Sequence, residues 1–147
     1  MYDIWRMQVV NALESFNASK VSLITIPERI AELEAQYTKI RSATADGSPV
    51  KGGGSGREDI LLNNICERDL LKEELVKTKK HVDKINRALG ALSEIERKIL
   101  QIRFIDGVPS AVTKLSRELN LDERTIRNKQ SDALVKFAKA FCGIVYS

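Results

Sequence analysis

Apolar residues recur along this chain at alternating steps of three and four, the spacing that gathers them on one side of an α-helix. In the first segment Tyr2, Trp5, Val9, Ala12 and Phe16 keep that rhythm, with Leu13 alongside. Asn17 to Ile26 interrupts it. Pro27 then suits a first helical turn, and Glu28 puts negative charge where a helix N-terminus favours it. Ile30, Leu33, Tyr37 and Ile40 resume the steps. The pattern predicts a helical hairpin over residues 1–44, its second helix running from about Pro27 to Ala43.

"ADGSPVKGGGSG", from Ala45 to Gly56, holds five of the eight glycines and reads as a flexible linker over residues 45–57. It is not a phosphate loop, because its only lysine precedes the glycines and no strand precedes them. Beyond it, residues 58–92 form one long amphipathic helix. Leu71, Leu75, Thr78, Val82, Ile85, Leu89 and Leu92 alternate steps of four and three, and Leu61 and Ile65 extend the stripe upstream. From Glu58 to Leu89 that is about 48 Å of helix. A rod of this length needs either the first hairpin laid along it or a second copy of itself, so an intramolecular three-helix bundle and a homodimer are both open.

Residues 93–147 carry shorter signals. Gly90 marks a bend, and "SEIE" from Ser93 to Glu96 is a capping box. Ile95, Ile99, Leu100, Ile102 and Phe104 supply the next apolar face. Asp106 and Gly107 signal a turn, with Pro109 at a helix start. A helix from about Ser110 to Leu119 buries Val112, Leu115 and Leu119. Asn120 then tolerates a left-handed stop, Leu121 plugs the turn and Asp122 caps a further helix. All of these elements are helical, and the fold class expected is all-α.

Composition changes this picture little. Aromatic residues make up 5% of the chain and there are three prolines, which favours helices packed on helices. Apolar runs such as Val21 to Ile26 are far too short for a membrane span, and the N-terminus lacks the order of a signal peptide, so a soluble cytoplasmic protein without membrane contact is expected. Cys66 and Cys142 have neither metal nor CxxC spacing and read as core thiols. His81, in a lysine-rich stretch, reads as a surface histidine. No metal site, catalytic residue or cofactor is expected. The net charge of +4 is uneven: basic residues are outnumbered five to six up to Asp46 but lead ten to seven from Ser93 onward.

That imbalance gives the interruption before Asp122 a purpose. Two short helices joined by a tight turn pack at a steep angle, so the second protrudes and presents its first turns outward. With Ile126 and Leu134 facing inward, Glu123, Arg124, Arg127 and Asn128 point away. These residue types can read base edges in the major groove of double-stranded DNA: arginine on guanine, asparagine on adenine, glutamate on the cytosine amino group. Ser110, Lys114, Thr125, Lys129 and Lys136 are the candidate phosphate contacts.

The stretch "LSEIERKILQIRFIDGVPSAVTKLSRELNLDERTIRNKQSDALVKF", from Leu92 to Phe137, resembles region 4 of bacterial sigma factors. The likeness rests on the Glu96-Arg97 pair, Arg103-Phe104 with the Asp106-Gly107 turn, and "LDERTIR" leading to Ala133-Leu134. Upstream, "SPVKGGGSGREDILLNNICERD" with its flanking helices is similar to sigma-factor-like late regulators of phages and prophages, of the ArpU and RinA kind. The resemblance implies a helix-turn-helix DNA-binding domain over 93–147, with Glu123, Arg124, Arg127 and Asn128 at the family's base-reading positions. It implies a transcriptional regulator, a homodimer in the present reading, with RNA polymerase as a further candidate partner. Lys114 departs from the glutamate such domains usually carry, and Ser116 from their alanine. Nothing upstream resembles sigma region 2, so a complete promoter-opening factor is not expected. Two other functions fit the same organisation: a phage packaging subunit of the small terminase kind, and a coiled-coil adaptor that binds protein and ignores DNA.

Overall fold

A computed structural model describes residues 4–45 and 55–143, and those residues are all-helical, with no strand among them. In chain order they form α1 (Ile4–Ala45), α2 (Ser55–Gly90), α3 (Glu94–Leu100), a π-helical turn (Gln101–Ile105), α4 (Ala111–Leu119) and α5 (Glu123–Cys142). Most of the expected linker, residues 46–54, lies outside the described residues.

In place of the hairpin expected over 1–44 there is one continuous helix of 42 residues, Ile4–Ala45, with Pro27 inside it. Proline removes one backbone donor and crowds the carbonyl a turn back, at a cost of about 3 kcal/mol in a helix interior. That cost is tolerated here because Pro27 lies on the exposed side, where solvent can reach the carbonyl it strands, while Ile26 beside it is buried. Nothing from Asn17 to Ile26 is glycine or proline, so no other residue stops the helix.

The described residues fall into two compact units, one of Met1–Lys20 with Lys80–Ser147 and one of Val21–Lys79. α1 and α2 each contribute to both. In the second unit the two helices run antiparallel, as two contacts show: the Asn64 side-chain amide donates to the Leu33 carbonyl at 2.8 Å, and Arg29 pairs with Glu67 at 3.2 Å. Arg68 lies over the Tyr37 ring. The face of α2 turned to α1 is Leu61, Asn64, Arg68, Leu71, Leu75 and Thr78, all buried or half-buried. Ile65, expected on that stripe, is exposed. Strict steps of three and four from Leu61 land on Asn64 and Arg68, one position short of Ile65 and Asp69. Cys66 lies off the same stripe, and Cys142 sits in the last turn of α5; both thiols are exposed rather than in the core.

In the first unit, Val9, Leu13 and Phe16 of α1 and Val82, Ile85 and Leu89 of α2 are buried, as are Leu100, Leu134 and Phe137 of the later helices. Burying each such side chain contributes about 1.5–3 kcal/mol. His81 is half-buried, its ring edge-on to Phe141 at 6.0 Å. The Asn17 amide donates to the Ile105 carbonyl at 3.4 Å, tying α1 to the end of the π turn. The capping box at α3 is formed as expected: the Glu96 N–H donates to the Ser93 hydroxyl at 3.2 Å and the Ser93 N–H to the Glu96 carboxylate at 3.0 Å. Arg97 reaches the other way, donating to the carbonyls of Leu89 and Leu92 at 3.2 Å each and so closing the C-terminus of α2.

The π turn departs from the regular helix expected after Glu94. The Asp106 N–H bonds to the Gln101 carbonyl at 2.8 Å, five residues back. Ile99 and Leu100 are followed at that same spacing by Phe104 and Ile105, and all four are buried. Regular α-helix would have turned Arg103 inward instead. Ile95, assigned to the same apolar face, is exposed.

Glu96 also fastens α5, since its carboxylate meets Lys136 at 3.0 Å while itself nearly buried. Burial alone would raise its pKa, but the Ser93 N–H, the Lys136 ammonium and the Ser93 side chain outweigh it and hold the carboxyl below its ordinary value.

Two outcomes test this architecture. Replacing Pro27 by alanine should stabilise the fold, by up to about 3 kcal/mol in urea unfolding; if Pro27 instead began a second helix, the change would be neutral or destabilising. A depressed Glu96 pKa means stability present above the ordinary glutamate range and lost as pH falls through the folded value. Urea midpoints should therefore drop below about pH 4.3, and drop less steeply in Glu96→Gln.

Candidate nucleic-acid interface

The candidate residues sit on α4, α5 and the turn between them. α4 ends at Asn120, which takes the left-handed conformation at φ 57°, a conformation that asparagine adopts more readily than most residues. The Leu121 N–H then bonds back to the Ser116 carbonyl at 3.2 Å, and the Ser116 hydroxyl donates to the Leu121 carbonyl. Leu121 packs, with Leu119, Ile102 and Val112, against the fully buried Ile99, Leu115 and Ile126. Asp122 caps α5 by accepting the Thr125 N–H at 2.7 Å, and the Thr125 side chain together with that N–H holds its carboxyl below the ordinary aspartate value. The stop, the plug and the cap all stand where the sequence placed them.

With Ile126 and Leu134 fully buried, the opposite side of α5 faces solvent. Arg124, Arg127 and Asn128 are exposed, at positions that share one face of a helix. Glu123, grouped with them from the sequence, is half-buried and already engaged. One carboxylate oxygen accepts the Thr113 hydroxyl of α4 at 2.9 Å, and the other meets Arg127 at 3.4 Å. Its visible work is to join the two helices and orient Arg127, whose side chain remains 63% exposed.

The phosphate candidates divide in the same way. Ser110 and Lys114 are exposed at the start of α4, Ser110 in a left-handed conformation. Thr125 and Lys129 are half-buried. Lys136 is exposed but held by Glu96. With Lys139 and Asp132, Lys129 and Lys136 flank a shallow groove between α5 and the start of α3, some distance along the helix from Arg124. Two exposed residues on these faces were missed in the sequence. Arg117 lies one turn beyond Lys114, with which it lines a separate depression on α4 beside Ser110, and Ser131 continues the face of Arg124, Arg127 and Asn128. Their spacing from the named candidates was the available signal.

No described helix is long and apolar enough to cross a membrane. No family model matches the sequence, and no solved structure matches it. Over 61 residues, 40% of its length, the chain is 43% identical to a protein of Enterococcus hirae named as an autolysin regulatory protein, ArpU, and the match spans 43% of that relative. Over about two fifths of either sequence, then, this chain is similar to a protein named for regulation.

Proposed function

We propose that this protein is a sequence-specific DNA-binding transcriptional regulator of phage type, which acts by binding and not by catalysis, and which lays the start of α5 in the major groove. The observation that carries this reading is the exposed trio Arg124, Arg127 and Asn128 on the first turns of a helix whose other side is locked by buried Ile126 and Leu134. A groove about 12 Å wide admits one helix, and arginine and asparagine offer paired hydrogen bonds to guanine and adenine edges. In this arrangement α4 and α5 act as a helix-turn-helix of the sigma region 4 kind, with Asn120 to Asp122 as the turn. Glu123 preorganises Arg127 against α4 through Thr113. Ser110, Lys114 and Arg117 of α4 meet the phosphates, which fix register without reading sequence. The similarity to a protein named as a regulator supports this reading over a packaging subunit.

Selection of binding sites from random duplexes by the purified protein should yield one preferred motif. Arg127→Ala should then cost about 1–3 kcal/mol at one base position and relax preference there, whereas Lys114→Ala should weaken all sequences alike and reduce the salt slope by about one. Equal losses on every sequence for both changes would rule out base reading, and failure to shift any duplex at low salt would favour a protein-binding adaptor.

A further inference from the structure

The apolar stripe of α2 that could have paired two copies is, between Leu61 and Thr78, turned to α1 of the same chain. Directly beside it runs a second stripe at the same alternating steps of three and four: Leu62, Ile65, Asp69, Lys72 and Val76. All five are exposed, Leu62 by 58%, Ile65 by 36% and Val76 by 54%. Two packed helices cover one face of each other and leave such neighbouring stripes open, which is how bundles of four are built from pairs.

The order of residues along this stripe says what fits it. Taken about its midpoint between Asp69 and Lys72, it is its own charge complement when reversed: Asp69 comes opposite Lys72, and Ile65 opposite Val76. Leu62 comes opposite position 79, where the aliphatic stem of Lys79 can cover it. The net charge of the surrounding segments follows the same rule. From Glu58 to Asp69 four acidic residues face one arginine, and in the segment that reversal sets opposite, Lys72 to Asp83, four lysines outnumber three acidic residues. Parallel alignment would put like charges together, whereas antiparallel alignment pairs opposite ones.

We infer that α2 docks on α2 of a second copy of this chain, antiparallel, along Leu62, Ile65, Asp69, Lys72 and Val76. Two Asp69–Lys72 pairs sit at the centre of the interface and set its register, and the apolar residues flanking them supply the burial.

Charge swapping tests it. Light scattering on the native chain should give twice the 16.5 kDa of one copy. Asp69→Lys and Lys72→Asp should each weaken association about tenfold or more, by setting like charges opposite each other twice per dimer. Because an equimolar mixture of the two variants restores both pairs, it should recover the doubled mass, with helical circular dichroism confirming that each variant is folded. A native chain of single mass, reversals without effect, or a mixture that stays monomeric would each overturn the proposal.

Discussion

The direction of α5 depends on one backbone reversal. Asn120 turns left-handed, and the bond from the Leu121 N–H to the Ser116 carbonyl closes the end of α4. Most side chains pay roughly 1–2 kcal/mol for that conformation, whereas asparagine adopts it at less cost. The reversal would be worth little if the next residues were free. Leu121 is instead seated on the Ile99, Leu115 and Ile126 cluster, and Asp122 starts the next helix at once. Local geometry and burial thus specify the same path, and the exposed face of α5 is fixed by residues that never reach it.

This explains which parts of the fold were legible in the sequence. Features set by a few adjacent residues could be read: the Ser93–Glu96 box, the Asn120 stop, the Asp122 cap, and Ile126 and Leu134 on the inner face. Features that depend on packing across the chain could not. Pro27 carries a local signal for a helix start, but continuous helix on either side overrides it. The π turn arises because Phe104 and Ile105, five residues after Ile99 and Leu100, must all be buried together, which a template of three and four does not contain. On α2 the choice between Asn64 and Ile65 was decided by the phase of the stripe, so a polar residue went in and an isoleucine stayed out.

Charge was the feature that sequence alone overstated. Read as a list, the residues from Glu123 to Lys139 form a basic stripe available to a polyanion. In the fold, Lys136 is held by a nearly buried Glu96, and Arg127 leans on Glu123, which is itself anchored to Thr113. An exposed ion pair such as Arg127–Glu123 contributes only about 0–1 kcal/mol to stability. Its larger effect is on direction: a guanidinium held at one end by a carboxylate samples fewer orientations before it meets a ligand. Arg124, Lys129 and Lys139 of α5 make no such pair among the described residues, and Lys114 and Arg117 add positive charge along the outer side of α4.

The two faces of α2 differ in the same way. A long amphipathic stripe signals a partner helix but does not say whether that partner belongs to the same chain. α1 takes the stripe containing Asn64, whose amide donates to the Leu33 carbonyl and so pins the register of the intramolecular pair. A polar group in that position gives little stability but discriminates among alignments. On the adjoining stripe Asp69 and Lys72 occupy the corresponding place, again polar residues among apolar ones and again spaced for a helix partner. An alignment that slipped by one turn would leave those charges opposite isoleucine or valine, so the centre of the stripe selects the alignment while its ends provide the attraction.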